Sequence, residues 1–274
     1  MFIFCLAIFS VVKSATSSEA QLQVPSTSTN STLLPYKEWY GKRIMFIHAH
    51  TDDMECASGG LITLLKDIAE VFVVIVTNGD KGCGNDAICG NVTNAELVAI
   101  RQTEQLNSAK VLGIPAENVV FMPYEDCQLN SYPEQTVLKD IVTIVRKFQP
   151  HIIFTWDPSP KFELLASEGW GDLGYHPDHQ TSGKQRMWPE VGAAWKAEAL
   201  YFWAFTPQRT PDFYIDTTPS AVFSTKVEAF LQMKSQYAQA SEVVGMLEIV
   251  GRRVAQTVGL SSGSTAEGYN YILW

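Results

Sequence analysis

Acidic and imidazole side chains are concentrated in one short stretch, residues 49–53, which reads Ala-His-Thr-Asp-Asp. The apolar run Ile44–Ile47 before it predicts a buried parallel strand, so the stretch lies at the strand end where open α/β sheets bind ligands. His50 and Asp53 offer an imidazole nitrogen and a carboxylate oxygen, which suit zinc, and Asp52 between them suits a base beside the metal. The alternative is an Asp-rich turn that only caps the following helix.

A second motif, His-Pro-Asp-His at residues 176–179, follows a glycine-rich segment. Pro177 suits the first turn of a helix, so we expect His176 at the helix start and His179 one turn inside. Four of the 5 histidines of the chain lie in or beside the two motifs. This clustering of a scarce residue type favours one shared site, although a surface loop with incidental histidines is the alternative.

The ordered motifs resemble those of the PIG-L/LmbE family of zinc-dependent de-N-acetylases. Residues 49–53, followed by Gly59-Gly60, are similar to the family's Ala-His-Pro-Asp-Asp motif, and residues 176–179 match its second motif letter for letter. The loop 77–82 and the helix that carries Arg101 also resemble family segments at matching spacing. Thr51 departs from the family's proline, which removes a fixed φ angle before the acidic pair.

The resemblance implies a Rossmann-like fold and a divalent metal, zinc or another, held by His50, Asp53 and His179 with open coordination. It further implies that Asp52 acts as the base and that His176 stabilises the oxyanion. The reaction would remove the acetyl group from an N-acetylglucosamine-type amino sugar or glycoconjugate and release acetate.

Four more residues are candidates for the site. Arg101 matches a family position that contacts substrate, although an arginine on an amphipathic helix is often only solvated. Asp80 and Asp126 lie in loops after strands and are candidates to bind sugar hydroxyls, with helix capping or solvation as the alternative. Asp178 either orients His176 or is solvated at the helix start.

We expect a soluble amino sugar or oligosaccharide as the substrate. One alternative is the N-acetylglucosaminyl-phosphatidylinositol de-N-acetylase of glycolipid anchor synthesis, and another is a secreted sugar-binding protein without catalysis. A dinucleotide-binding protein is excluded, because residues 50–53 are His-Thr-Asp-Asp where closely spaced glycines are required.

Short strand patterns alternate with helix patterns, which predicts one α/β domain with a mostly parallel sheet and helices on both faces. The predicted strands are Arg43–Ala49, Val71–Thr77, Val119–Pro123, His151–Trp156, Ala199–Phe205 and Asp212–Asp216, with the last two at the sheet's edge. The predicted helices are Leu61–Glu70, Ala95–Leu112, Glu134–Phe148, Pro219–Gln239 and Ser241–Val258.

The amino-terminal segment is almost wholly apolar from Phe2 to Val12, which is typical of a secretory signal peptide. We predict a signal over 1–20, a disordered Ser/Thr-rich stalk over 21–41 and the deacetylase-like domain over 42–274; an uncleaved signal anchor is the alternative. Glycosylation sequons at Asn30 and Asn91 agree with a secreted or endomembrane-lumen protein.

Cysteine usage agrees with that location, since removal of Cys5 leaves an even number. Cys83 and Cys89 flank a short glycine-rich loop and are expected to pair, with Cys56–Cys127 as the remaining option and four thiols of an intracellular protein as the alternative.

The net charge of the chain is -9, and no Lys/Arg run occurs, so nucleic acid and anionic membrane surfaces are not expected partners. No stable membrane span is expected, and the pattern does not predict an oligomeric state.

Overall fold

The computed structural model describes residues 31–156, 178, 195–204 and 210–272. These form an eight-stranded, mostly parallel sheet packed between helices, so the predicted α/β class is confirmed. The strands are β1 (Thr32–Leu33), β2 (Arg43–His48), β3 (Glu70–Thr77), β4 (Val119–Tyr124), β5 (Ile152–Trp156), β6 (Ala199–Trp203), β7 (Phe213–Asp216) and β8 (Ala266–Ile272). The helices are α1 (Asp53–Leu65), α2 (Asp86–Cys89), α3 (Asn94–Val111), α4 (Glu134–Phe148), α5 (Ser220–Phe230) and α6 (Ala240–Thr257).

The strand order β1-β7-β8-β6-β5-β2-β3-β4 places β2 between β5 and β3. The chain winds from β2 outward to β4 and then returns to form β5 on the other side of β2. This reversal opens a crevice at the carboxyl ends of β2 and β5, which is where open α/β sheets place their ligands. The motif that follows β2 therefore lies at the switch point.

Side chains of β2 alternate between two buried layers because successive residues of a strand point to opposite faces. Ile44 and Phe46 pack with α1 and α6 on one face, whereas Met45 and Ile47 pack with α4 on the other. Burial on both faces explains why this strand reads as a continuous apolar run.

The predicted position of the later strands at the sheet's edge is wrong for β6 and for β7, which lies between β1 and β8. Strand β6 lies further inside the sheet. It is hydrogen-bonded to β5 on one side and to β8 on the other. Strand β8, which was not predicted, runs antiparallel between β6 and β7. Its short sequence contains a glycine and follows the last predicted helix, so the local pattern gave no sign of the long-range pairing.

Two predicted helices have different bounds in the structure. Helix α1 begins at Asp53, eight residues before the predicted start, because the chain turns directly after β2. Helix α5 ends at Phe230 instead of continuing to Gln239. The buried Ser235 beyond it gives its N–H and Oγ–H to the Glu104 carboxylate, at 2.8 and 2.6 Å, and these tertiary bonds replace continuation of the helix.

The stalk predicted over 21–41 is too long at its carboxyl end. Residues 32–33 form β1, which pairs with β7, and Leu34 and Trp39 are buried in the core. Residues 1–30, with the predicted signal and the Asn30 sequon, lie outside the described residues. In the described part of the chain, no helix has the length and apolar character needed to cross a membrane.

Candidate functional site

The turn after β2 holds Asp52 in a left-handed conformation, with φ 103° and ψ -28°. Asp52 occupies the N-cap position of α1, but its side chain makes no capping hydrogen bond. The alternative of a turn that only caps the helix is therefore wrong for this residue. The Asp52 Oδ2 lies 3.4 Å from Nη2 of Arg101, so the carboxylate faces the site rather than its own helix.

Asp53 closes the same turn. Its Oδ2 accepts hydrogen bonds from the backbone N–H of Ala49 at 3.1 Å, of His50 at 2.9 Å and from Nε1 of Trp156 at 3.1 Å. It also lies 3.6 Å from Nδ1 of His50. One carboxylate thus fixes the end of β2, the imidazole and the end of β5 relative to each other.

His50 meets two further carboxylates from distant parts of the chain. Its Nε2 is 3.2 Å from Oδ1 of Asp126 and 3.3 Å from Oδ2 of Asp178. All three side chains are buried, and each offers a ligand atom within 4.8 Å of the others, a spacing that a metal ion can bridge. Asp126 follows β4, so two strand ends and the second motif converge here.

The charges around His50 dominate its protonation. Burial alone would lower the pKa of His50, but the negative charge of Asp126 and hydrogen bonds with Asp126, Asp178 and Asp53 raise it well above its usual value. Burial raises the pKa of Asp52 to about 7, with Arg101 opposing this rise and Asp53 adding to it. The carboxylates around His50 thus outnumber the cationic groups that face them, an arrangement that favours a bound cation.

Asp178 is fully buried, so of the two alternatives for this residue, that of a solvated side chain at a helix start is wrong. Its carboxylate accepts the backbone N–H of Cys127 at 2.8 Å and of Leu129 at 2.9 Å, in addition to its contact with His50. The predicted partner, His176, lies outside the described residues, as does the predicted metal ligand His179.

Arg101 is buried rather than solvated, with 2% of its side chain exposed. Nη2 donates to the carbonyl of Thr51 at 2.7 Å, and Nη1 donates to the carbonyl of Gly79 at 3.1 Å. Oδ2 of Asp126 is 3.4 Å from Nη1. A Cβ atom at position 82 would collide with Nη1. Because the bonds to the carbonyls of Thr51 and Gly79 fix the guanidinium, Gly82 lets the loop approach it.

Asp80 positions the loop that carries Asp126. Its Oδ1 accepts the backbone N–H of Asp126 at 3.0 Å, and its Oδ2 lies 3.5 Å from Nδ2 of Asn94. Beside it opens a groove of about 460 Å³. The groove is lined by Asn78, Asp80, Lys81, Asn94, Ala95, Val98 and Glu125.

The contact of Asp126 with His50 was not predicted, although its position directly after a parallel strand was the available signal. Glu55, which resembles a family acidic position and is expected to support the site rather than bind metal, is fully buried and accepts hydrogen bonds from Gln105 and Ser108 on α3. Burial raises the pKa of Glu55 to about 7. These contacts fasten α1 to α3 under the site.

The structure agrees with the favoured cysteine pairing, because it places the sulfur atoms of Cys83 and Cys89 side by side, with their Cα atoms 6.4 Å apart. The other option is wrong, because Cys56 and Cys127 both carry thiols in the structure. The backbone of the loop between the paired cysteines bonds to the carbonyl of Ser235 at 3.0 Å, so the loop is held against the segment that follows α5.

The chain matches the profile of the PIG-L family, described as GlcNAc-PI de-N-acetylase, over residues 45–187. It is 27% identical over 245 residues to a diacetylchitobiose deacetylase of Thermococcus kodakarensis, covering 84% of this chain and 83% of that protein. It is 25% identical over 252 residues to a 1D-myo-inositol 2-acetamido-2-deoxy-alpha-D-glucopyranoside deacetylase of Rhodococcus erythropolis, covering 82% and 81%.

Among solved structures, the fold is similar to N,N'-diacetylchitobiose deacetylase from Pyrococcus horikoshii. The TM-score is 0.67 at 22% sequence identity, with 87% of this chain and 86% of that chain covered. At this identity the likeness supports the fold and, by itself, no particular reaction.

Proposed function

This chain belongs to the PIG-L family of GlcNAc-PI de-N-acetylases, and from that premise we propose that it hydrolyses the acetamide of an N-acetylglucosamine-type sugar. The observation that carries the proposal is the buried group of carboxylates around His50 at the switch point of the sheet. In metal-assisted hydrolysis, a cation polarises the acetamide carbonyl and a base takes a proton from the attacking water. The site offers a place for the first and, in Asp52, a residue for the second.

The charge balance of the site fits a divalent metal. The buried or half-buried carboxylates of Asp52, Asp53, Asp126 and Asp178 surround one imidazole, and buried charges of one sign are costly unless an opposite charge compensates them. Zinc, which binds imidazole nitrogen and carboxylate oxygen, suits these donors.

For the ligands we propose His50, Asp53 and His179, the set that the family resemblance implies. Asp178, which directly precedes His179 in the sequence, contacts His50, and this supports the choice. A rival set is His50, Asp126 and Asp178. Metal content measured by mass spectrometry in His179→Ala and Asp126→Asn separates the two, because only the variant that lacks a true ligand should lose its zinc.

A zinc ion bound there would act as a Lewis acid on the acetamide carbonyl. Asp52 takes a proton from the attacking water as the new C–O bond forms, which suits a carboxylate whose pKa lies at about 7. His176 donates a hydrogen bond to the developing oxyanion. The C–N bond then breaks, the nitrogen receives the proton, and acetate and the free amine leave.

Substrate recognition is proposed for Arg101, Asp80 and Asp126 and the adjoining groove. Carboxylate and amide groups on its wall suit sugar hydroxyls. Its cation, Lys81, is paired with Glu125 at 3.0 Å and donates to the carbonyl of Asp126 at 3.1 Å, so it is already engaged. A phosphate-bearing glycolipid headgroup would therefore meet a negatively charged surface, and a neutral amino sugar or oligosaccharide is the better substrate.

Acetate release tests the function. Purified protein is mixed with N,N'-diacetylchitobiose, with and without a chelator, beside the Asp52→Asn variant. We expect the wild type to release acetate with metal but not with the chelator, and the Asp52→Asn variant to release it far more slowly. Zinc binding without turnover of any N-acetylated sugar would instead favour a sugar-binding protein without catalysis.

We also propose that the protein is secreted or lumenal, with a cleaved signal over 1–20 and glycans at Asn30 and Asn91. The pairing of Cys83 with Cys89 supports an oxidising compartment. Amino-terminal sequencing of the protein from a secreting cell tests the cleavage, and a mobility shift on treatment with a glycosidase tests the glycans. An intact amino terminus would contradict cleavage of the signal, and an unchanged mobility would contradict the presence of glycans.

A further inference from the structure

Two adjacent glycines in the middle of α1, Gly59 and Gly60, have no part in the proposed chemistry. A Cβ atom at Gly60 would lie 2.5 Å from Cγ2 of Thr217 and 3.0 Å from Oε1 of Glu267. A Cβ atom at Gly59 would lie 3.0 Å from Cγ of Lys226. The missing side chains therefore give two charged residues access to the backbone of the helix.

Glu267, on β8, accepts two backbone N–H groups from the middle of α1. Its Oε1 is 2.7 Å from the nitrogen of Gly60, and its Oε2 is 2.9 Å from the nitrogen of Leu61. In a regular α-helix these groups donate to the carbonyls four residues earlier, those of Cys56 and Ala57.

Those two carbonyls are contacted by other side chains. Lys226, on α5, donates to the carbonyl of Cys56 at 2.9 Å and to Oε1 of Glu267 at 2.5 Å. The hydroxyl of Tyr269 lies 3.4 Å from the carbonyl of Ala57 and 2.9 Å from Oε2 of Glu267. Three side chains thus engage four backbone groups of α1. In a regular helix, these four groups would form two consecutive backbone hydrogen bonds.

All three side chains are in the interior, with exposed fractions of 5% for Lys226, 2% for Glu267 and 0% for Tyr269. A buried ion pair loses so much hydration that well-packed apolar residues often stabilise a protein equally well or better. A gain in stability therefore does not explain why Lys226 and Glu267 are buried together. Their directional hydrogen bonds to the backbone of α1 instead fix the position of that helix.

These contacts act close to the candidate site. The backbone nitrogen of Cys56 is 3.3 Å from the carbonyl of Asp52, and the carbonyl of the same Cys56 is held by Lys226. We propose that Lys226, Glu267 and Tyr269 are positioning residues that hold the first turn of α1, and with it Asp52 and Asp53, against the end of β2. The kinetic part of the inference rests on the proposed deacetylase function, and the zinc-binding part does not.

The test uses the full chain with Lys226→Met, which keeps the aliphatic stem, Glu267→Gln and Tyr269→Phe. At saturating zinc we expect Lys226→Met and Glu267→Gln to lower kcat by roughly tenfold or more with little change in KM, because small displacements of reacting groups are costly. Zinc affinity, measured by competition with a chelator, should weaken in the same variants. Tyr269→Phe should have the same effects in smaller measure.

Asn118→Ala is the matched control. The Asn118 side chain is buried and donates to the carbonyl of Val71 at 3.1 Å. This bond lies at the amino-terminal ends of β3 and β4, whereas the candidate site lies at the carboxyl ends of the strands. This variant should lose thermal stability while it keeps kcat, KM and zinc affinity. Wild-type kcat and zinc affinity in folded Lys226→Met and Glu267→Gln would overturn the inference.

A single variant that leaves one buried charge without its partner can fail to fold. The double variant Lys226→Met/Glu267→Gln removes both charges and should fold better than either single variant, yet keep the losses in kcat and zinc affinity. Full recovery of both in the double variant would also overturn the inference. If the wild type releases no acetate, the proposed function fails, and zinc affinity across the same variants still decides the role of these residues.

Discussion

At the residue scale, Asp52 combines a strained backbone with a side chain that does not cap its helix. It has a left-handed backbone, with φ 103°, which is costly for a residue other than glycine, and it occupies an N-cap position without capping the helix. Burial also raises its pKa to about 7. A carboxylate that faces the site instead of capping its own helix, and whose pKa lies near neutrality, suits a general base.

Replacement of Asp52 by Asn should abolish most of the activity and leave the fold intact. Asparagine tolerates the left-handed region but cannot accept the proton, so we expect kcat to fall by about 10²–10⁴-fold with unchanged zinc content. Steady-state acetate release and metal analysis measure the two quantities. A variant with nearly full activity would remove Asp52 from the mechanism.

Glu55 should make stability depend on pH. Its pKa is raised in the folded protein from 4.5 to about 7 by burial, so its contribution is fully present below pH 4.5 and is lost as the pH rises to about 7. Glu55→Gln should remove that dependence and be more stable than the wild type above pH 7, by about 3 kcal/mol. Urea unfolding of both proteins, after removal of metal with a chelator, gives the free energy of unfolding at each pH from 4 to 8. If this free energy changed with pH in the same way for both proteins, the role of Glu55 would be contradicted.

At the scale of elements, helix α1 joins the site to the rest of the fold. Its first turn carries Asp53 and Glu55, and its middle approaches Lys226 and Glu267 so closely that glycine is required. Glycine in a helix interior usually costs stability relative to alanine. In α1, the glycines allow α5 and β8 to approach the helix closely, which a side chain at these positions would prevent.

Gly60→Ala and Gly245→Ala should therefore have opposite effects. A Cβ atom at Gly60 meets Thr217 and Glu267, whereas one at Gly245 in α6 meets nothing within 4 Å. We expect Gly245→Ala to stabilise the protein by roughly 0.5–1 kcal/mol and Gly60→Ala to destabilise it by about 1–3 kcal/mol. Chemical unfolding of both variants gives the comparison, and stabilisation by both would show that the crowding at Gly60 is absent.

At the scale of the whole molecule, the sheet is completed by the chain's carboxyl-terminal region. Strand β8 runs antiparallel between β6 and β7 and brings Glu267 and Tyr269 under α1. Edge strand β1 contributes only two residues. The carboxyl-terminal strand is thus structurally central, although it lies last in the sequence.

Proline substitutions should distinguish the central strand from the edge. Asn270→Pro removes a backbone donor from a strand that is paired on both sides, and it should strongly destabilise the protein. Leu33→Pro should cost little, because Thr32 and Leu34 supply the N–H groups that bond to the carbonyls of Asp212 and Tyr214 and Leu33 is 52% exposed. Thermal unfolding of both variants measures this, and equal losses would contradict the strand order.

The sequence alone determined the fold class, the central strands and the residues at their carboxyl ends. Apolar runs indicate buried strands, and the polar residues after them indicate turns. Both features depend only on residues that are close in the sequence. The motifs around His50 and residues 176–179 also identified the family. These are properties of local segments, and the structure confirms the class and the central strands.

Only the tertiary structure decided which distant groups meet. The approach of Asp126 and Asp178 to His50, the burial of Arg101 and the insertion of β8 between earlier strands depend on how segments far apart in the chain pack together. Local periodicity carries no information on that pairing, because a buried strand has the same pattern at the centre of the sheet as beside its edge. The role of Gly59 and Gly60 became visible for the same reason, once Lys226 and Glu267 were found against them.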